Sequence, residues 1–159
     1  MDTDQAQVLR RLILEQQVAA LGTLHNGEPA VSMVPYVILP ETGDIVVHVS
    51  RLATHTQDML SHPTVSVLVI AERADGVPPQ AVPRATLNGR AEPCPAESPA
   101  YAGARSAYLG RFPDSEPLFG FADFSLFCIA PRSVRFVGGF AEAWSLRTRQ
   151  YRELIGART

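Results

Sequence analysis

The chain has 159 residues, of which 46% are hydrophobic and 19% charged, and its formal net charge is −2. This length and composition fit one globular domain over residues 1–159, with no room for a second. A nucleic-acid partner is not expected, because proteins that neutralise a phosphate backbone usually carry a basic excess. No apolar stretch has the length of a signal h-region or a membrane span, so we expect a cytoplasmic protein without a membrane partner.

The basic side chains and the cysteines exclude several classes of site. All 14 residues of the Lys and Arg class are arginines. A pyridoxal phosphate enzyme needs a lysine for its Schiff base, and a Walker A loop needs lysine at the phosphates, so both are excluded. Cys94 and Cys128 lack the spacing of a zinc site or a disulfide framework, so we expect two reduced thiols.

The first 50 residues predict a helix followed by three strands. Apolar residues at one-turn spacing indicate the helix, and β-compatible residues follow it. Asn26-Gly27 is typical of a tight hairpin turn, and residues 41–44 predict the next turn. The predicted elements are the helix over residues 5–16 and strands over 18–24, 30–39 and 45–50.

The middle of the chain mixes helices with strands. Thr54 and Gln57 have the spacing of a capping box, which predicts a helix that ends before Pro63. A β-branched run and an alternating polar and apolar run predict two strands. The polar face of the second strand, which includes Arg84, indicates contact with something outside the core. The predicted elements are helices over 54–61 and 101–109, strands over 65–70 and 84–92, and a helical turn after Phe112.

Strands predominate again towards the C-terminus. Pro131 interrupts an apolar run, so we predict a hairpin with one strand on each side of it, over residues 124–130 and 133–137. Residues 141–155 form either a closing helix or an arm. Six or seven short strands with inserted helices predict a mainly β (α+β) fold, arranged as a closed antiparallel barrel.

The segment over residues 46–60 has the features of an anion site. A helix N-terminus offers free backbone N–H groups and a partial positive charge. Ser50, Arg51, Thr54 and His55 stand beside the predicted helix start. A solvent-exposed helix cap with polar neighbours explains the same local pattern. The rest of the chain is needed to choose between the two interpretations.

Five segments carry a resemblance that spans nearly the whole chain. In order, they are AVSMVPY (30–36), VHVSRLATHT (47–56), RATLNG (84–89), AYLGRFP (107–113) and FVGGF (136–140). Their order and spacing resemble the pyridoxamine 5'-phosphate oxidase-like FMN-binding proteins, and among them the haem-utilisation branch. The resemblance implies an antiparallel Greek-key FMN-binding split β-barrel.

The resemblance also implies a homodimer that holds FMN at the subunit interface. The second strand would line the flavin ring edge, partly through backbone groups. The 46–60 segment would hold the phosphate and ribityl chain, and Arg84 would reach the flavin from the strand over 84–92. The planar fork of an arginine suits a phosphate dianion. The implied cofactor-binding residues are Ser32, Met33, Val34, Ser50, Arg51, Thr54, His55 and Arg84.

Two departures from the family pattern bear on activity. True pyridoxamine phosphate oxidases carry Trp after the Phe of the penultimate strand, and Arg-x-His soon after the glycine pair. This chain has Val137 and the Ala-Glu-Ala of residues 141–143 at those places. We therefore do not expect vitamin B6 oxidation. The haem-utilisation branch shares the Val-Gly-Gly-Phe of residues 137–140, which makes haem a candidate ligand.

The histidines and aromatic residues leave alternatives open. His25 and His48 have no carboxylate at ligand spacing, so we predict no metal site, although a haem iron could recruit a histidine. The aromatic residues near 108–121 either line a pocket for a flat ligand or seal the barrel. Trp144 either stacks on a flavin or anchors the tail on a partner subunit. The aromatic residues concerned are Tyr108, Phe112, Phe119 and Phe121.

Three functional hypotheses follow. The first is an FMN-dependent oxidoreductase acting on a small molecule, with the flavin supplying the redox chemistry. The second is a non-catalytic dimer that stores or senses flavin or haem. The third is a barrel that has lost flavin. No general acid or base stands out, so the catalytic residues and the substrate are not assigned.

Overall fold

The computed structural model describes residues 1–139 and 142–156. Phe140 and Ala141, which belong to the sequence motifs above, lie outside these ranges. The α-helices are α1 (Thr3–Glu15), α2 (Thr54–Ser61), α3 (Tyr101–Arg111) and α4 (Thr148–Ile155), with 3₁₀ helices at Pro79–Ala81 and Pro113–Gly120. The strands are β1 (Val18–His25), β2 (Glu28–Pro35), β3 (Val37–Ile38), β4 (Ile45–Ser50), β5 (Thr64–Ile70), β6 (Arg84–Cys94), β7 (Phe124–Gly139) and β8 (Glu142–Arg147).

The strands form one antiparallel sheet in the order β2-β1-β5-β6-β7-β4-β3, with β8 also paired to β7. The predicted mainly β fold with inserted helices is confirmed. The predicted closure of the barrel is wrong, because this hydrogen-bonded path is open. Its two edge strands, β2 and β3, are consecutive in the chain: β2 leaves β1 at Pro35, and Val37 then pairs with β4. Proline has no N–H to extend the first ladder.

The first hairpin follows its predicted turn. Asn26 and Gly27 have φ angles of 53° and 83°, which lie in the left-handed region that Asn and Gly tolerate best. The register runs from Val18 opposite Pro35 to His25 opposite Glu28. The predicted hairpin is therefore confirmed, although the strand predicted over 30–39 is divided between β2 and β3.

The hairpin predicted around Pro131 is wrong, because β7 is a single strand of 16 residues. Gly89 of β6 pairs with Pro131, whereas the preceding Asn88 pairs with Ser133. Arg132 is therefore the extra residue of a β-bulge. A bulge accommodates proline without ending the strand, because the local ladder does not require its missing N–H.

Gly89→Ala should destabilise the protein by about 1–3 kcal/mol, the usual cost of overpacking. A Cβ at Gly89 would lie 2.6 Å from the Ala130 carbonyl oxygen and 3.1 Å from Ile129 Cγ2. Urea unfolding would measure the change. Gly110→Ala is the matched control, because a Cβ at this helical position has no neighbour within 4 Å. Equal stability of wild type and Gly89→Ala would show that the β6–β7 approach is not tight.

The core lies between the inner face of the sheet and helices α1 and α4. Two buried tyrosines fix the helices: Tyr36 donates to the Ile13 carbonyl at 2.7 Å, and Tyr151 donates to the Gly43 carbonyl at 2.8 Å. A second set of buried residues, the α3 cluster, packs beneath α3. It contains Leu39, Val46, Cys94, Ala104, Tyr108 and Leu126.

The C-terminal segment, for which a helix or an arm was predicted, forms β8 and then α4. In the described residues, no helix combines the length and apolar character that a membrane crossing requires.

Candidate functional site

The predicted anion site lies where β4 ends at Ser50 and α2 begins at Thr54. The predicted capping box is wrong: the N-cap is Ala53, which provides no side-chain hydrogen bond. The chain folds back over the helix start, so the polar side chains of α2 bind loop carbonyls instead. Thr56 Oγ1 donates to the Ser50 carbonyl at 2.7 Å, and Gln57 Nε2 donates to the Arg51 carbonyl at 2.6 Å. The first turn of α2 thus has no side-chain cap.

Ser50 and Arg51 are tied to the loop before β7. Ser50 Oγ donates to Asp123 Oδ2 at 2.8 Å, and the Arg51 backbone N–H donates to the Asp123 carbonyl at 2.6 Å. The Arg51 guanidinium donates to the Ala122 carbonyl. Arg51 is exposed and has five N–H donors in all, so it can still bind an anion. Ser50 is less suited to that role, because its hydroxyl is engaged by a carboxylate.

Thr54 and His55 complete the predicted phosphate group of residues. Thr54 is exposed and His55 is half-buried. Burial lowers the pKa of His55 below its ordinary value, and the nearby Asp58 carboxylate only partly offsets this effect. The imidazole is therefore neutral at pH 7. It can offer a phosphate one hydrogen bond but no charge.

Asp58, on the inner side of α2, is buried and bonds to two residues of β1, the buried Thr23 and the exposed His25. Its carboxylate accepts hydrogen bonds from Thr23 Oγ1 at 2.7 Å and from His25 Nδ1 at 2.8 Å. Burial alone would raise the pKa of Asp58, but the hydrogen bonds from His25 and Thr23 and the electrostatic attraction of the His25 and His55 imidazoles outweigh it, so the pKa is lowered. An ionised Asp58 holds the proton of His25 on Nδ1 and leaves Nε2 as the acceptor, where it receives a hydrogen bond from Asn26 Nδ2 at 3.2 Å.

The sequence does not predict this His25–Asp58 pair. It is a proton-transfer candidate, because a carboxylate that orients an imidazole is a common feature of general bases. Thr23 and His25 occupy alternate positions of β1, so their side chains lie on the same face of the sheet. The partner carboxylate lies 33 positions away in the chain, and no local pattern indicates that α2 packs there.

The β2 residues of the predicted site point in opposite directions. Met33 is 67% exposed, whereas the Val34 side chain is buried in the core. Val34 could therefore contact a cofactor only through its backbone. Ser32, which pairs with Leu21 of β1, is half-buried.

Arg84 is remote from the phosphate group of residues within one chain. It pairs with Val137 near the end of β7, whereas Ser50 pairs with Phe124 at the start of the same strand. These 13 positions span about 40 Å along an extended strand. The Arg84 guanidinium donates to the carbonyls of Gln80 at 3.2 Å and Val82 at 3.0 Å. The structure therefore does not bring Arg84 and Ser50 together in one protomer.

The outer face of the sheet is unusually apolar. We use this name for the outward-facing residues of β1, β2 and β5, bordered on β6 by Arg84. Val31 is 72% exposed and Met33 is 67% exposed. The apolar residues of the outer face are Val18, Ala20, Val31, Met33, Leu68 and Ile70.

The remaining candidate residues are Trp144, the two cysteines and any metal ligands. Trp144 stacks on Phe136 with ring centroids 5.7 Å apart, so it packs on this chain's own core. Both cysteines are free, and burial together with the neighbouring Cys94 raises the pKa of Cys128 to about 12, which suppresses its nucleophilic thiolate. Across residues 1–139 and 142–156, no group of three His, Cys, Asp or Glu residues is placed to hold a metal ion.

An open antiparallel sheet with inserted helices, and polar residues gathered where β4 meets α2, define a split-barrel protein. Residues 6–138 match the family profile described as pyridoxamine 5'-phosphate oxidase. This match covers most of the chain, which therefore belongs to the pyridoxamine 5'-phosphate oxidase family. The predicted family resemblance is confirmed.

Several similar proteins are described by their relation to haem. A heme binding protein from Mycobacterium smegmatis superposes with a TM-score of 0.85 at 29% identity, over 100% of this chain and 63% of that chain. The non-canonical chloroplastic heme oxygenase HOZ of Arabidopsis thaliana is 35% identical over 120 residues, which are 76% of this chain and 35% of HOZ. The chain thus spans about a third of the plant relative and less than two thirds of the mycobacterial one.

The heme storage protein HutZ from Vibrio cholerae shares the fold, with a TM-score of 0.69 at 24% identity over 81% of this chain and 89% of that chain. Together these similarities agree with the haem-utilisation branch of the family that the sequence resembles.

Proposed function

We propose that the chain forms a two-fold homodimer that binds FMN between its subunits and acts as an oxidoreductase on a small molecule. The main support for this proposal is the exposed outer face. Val31 and Met33 are about two-thirds exposed or more, and a contiguous apolar patch on a soluble protein usually marks an interaction surface. A second copy of the chain, seated on the same face, would bury both residues in an isologous interface.

The distribution of the predicted site residues supports a dimer. Within one chain, Arg84 and the residues around Ser50 stand at opposite ends of β7. A two-fold axis through the outer face would place Arg84 of one subunit on the same side as the 46–60 segment of the other. The cofactor site would then be complete only in the dimer.

The donor chemistry at the start of α2 fits a phosphate. Arg51 offers charge and free N–H donors, Thr54 offers an exposed hydroxyl, and the first turn has no side-chain cap. The Ser50 hydroxyl would contribute only after leaving Asp123. When bound, FMN would supply the electron-transfer chemistry, while the chain would position it and exclude water.

Arg51→Ala and Arg84→Ala should each weaken FMN binding by about 1.5–3 kcal/mol, roughly 10- to 150-fold, because each removes a charged hydrogen-bond donor. Flavin fluorescence quenching would measure the dissociation constant. Arg149→Ala is the control, because this side chain is 86% exposed and pairs with Glu153 of α4. Arg84 also binds two carbonyls, so its variant requires a parallel melting curve. Unchanged FMN affinity in both variants would show that other residues bind the phosphate.

The visible spectrum of the purified protein tests the proposal directly. We expect flavin absorbance, or its recovery when FMN is added. Anaerobic NADH or NADPH should then bleach the bound flavin if the protein is an oxidoreductase, whereas a stable flavin spectrum favours a binding role. A colourless protein that does not bind added FMN would overturn the proposal.

A haem-binding or haem-sensing dimer is the second candidate function. It is favoured by the mycobacterial and plant relatives, which are described as a heme binding protein and a heme oxygenase. Titration with haem, followed by the Soret band, distinguishes it from the first. Saturable haem binding by a protein that fails to bind FMN would replace the flavoprotein proposal, and the absence of a Soret change would remove the haem candidate.

A further inference from the structure

A cavity of about 210 Å³ lies at the edge of the α3 cluster, among residues that we have not assigned to FMN binding. Four of its nine lining residues carry aromatic rings, with His48 counted among them. An apolar cavity of about 150 Å³ suffices for benzene, whereas cofactor and drug pockets usually measure about 300–1,000 Å³. The cavity therefore fits one or two aromatic rings but not a flavin or a haem. Its principal lining residues are His48, Cys94, Tyr101, Phe119, Phe124 and Ser125.

His48 is the unusual member of this lining. It is 93% buried, and its ring stacks on Phe119 with centroids 3.9 Å apart and an interplanar angle of 11°. Its Nδ1 atom is buried without a hydrogen-bond partner among the described residues. Buried polar groups are nearly always paired, so an unpaired one calls for a ligand or an ordered water.

The charge of the cavity selects a neutral ligand. Burial lowers the pKa of His48 to about 4, so the imidazole is neutral at pH 7 and offers one donor and one acceptor. Among the lining residues that the structure describes, none carries a charge at that pH. Arg105 lies over the Phe119 ring at 5.1 Å and does not line the cavity.

We propose that this cavity binds a small phenol-like molecule, whose hydroxyl makes the hydrogen bond that His48 lacks. The aromatic walls suit a planar ring. A hydroxyl both donates and accepts, so it matches either tautomer of the imidazole. Nδ1 has almost no accessible surface, so the ring must turn by a half rotation about χ2 for this atom to leave its buried position and meet the ligand. The cavity adjoins the 46–60 segment, because its lining residue Phe124 pairs with Ser50, but phenol binding does not depend on the flavin proposal.

Phenol and benzene are the matched probes. Isothermal titration should show phenol binding about tenfold more tightly than benzene, because one hydrogen bond contributes about that ratio. NMR signals of the His48 ring should shift with phenol. In His48→Phe, which keeps the stacking on Phe119, phenol should lose its advantage over benzene.

A second variant keeps the proposal testable if His48→Phe does not fold. Ala96 is an exposed residue at the cavity edge, and Ala96→Trp should fill the cavity and abolish binding of both probes. Failure of wild type to bind either probe, with unchanged His48 signals, would mean that the cavity holds only water and would overturn the proposal. Phenol binding that survives both substitutions would place it elsewhere and would also overturn the proposal.

Discussion

Val31→Asp should convert the proposed dimer to monomers and abolish FMN binding at the same time. Val31 is 72% exposed in one chain, on β2 at the edge of the outer face. In a two-fold interface one substitution introduces two carboxylates, and each would be desolvated without a partner. We expect the dimer to weaken by about 3 kcal/mol or more, which is over 100-fold in its dissociation constant.

Sedimentation velocity across a concentration series, combined with FMN titration, measures both effects. Ala102→Asp is the matched control, because Ala102 is exposed in the first turn of α3, away from both the outer face and the 46–60 segment. This control should leave both properties unchanged. A Val31→Asp protein that remains dimeric would contradict the assigned interface. A monomer that binds FMN normally would contradict only the placement of the cofactor between subunits.

The parts of the fold that depend only on residues adjacent in the chain could be predicted from the sequence. Asn26 and Gly27 adopt a left-handed backbone almost regardless of their surroundings, so the turn of the first hairpin could be predicted. Pro131 was misread because its tolerance in a strand depends on Gly89, a residue of another strand. The alternation of polar and apolar residues marks a strand, but it does not indicate a bulge or which edges remain open.

The same distinction applies to the candidate site. Family resemblance gathered Ser50, Arg51 and Arg84 into one site, but residue identity does not reveal competing partners. Asp123, which binds the Ser50 hydroxyl, lies 73 positions away. The separation of Arg84 from Ser50 along β7 became visible only from the strand register. The types of residue in the site could thus be predicted from the sequence. Which of their hydrogen-bond donors remain free depends on tertiary packing.

Stability should fall between pH 6.5 and 4 because of His48. Burial lowers the pKa of His48 from its ordinary 6.5 to about 4. The unfolded chain therefore takes up a proton as the pH falls through 6.5, whereas the native protein does not until about pH 4. The native state thus has its full stability above pH 6.5 and loses up to about 3 kcal/mol by pH 4.

Urea unfolding of wild type and His48→Phe across this range isolates the effect. Phenylalanine keeps a ring against Phe119 but cannot titrate, so its free energy of unfolding should decline less steeply with acid. His55, whose pKa is also lowered by burial, acts in the same direction and should leave a residual slope in both proteins. Parallel curves for wild type and His48→Phe would show that the imidazole is hydrated, and the α3 cluster would then be open to water at His48.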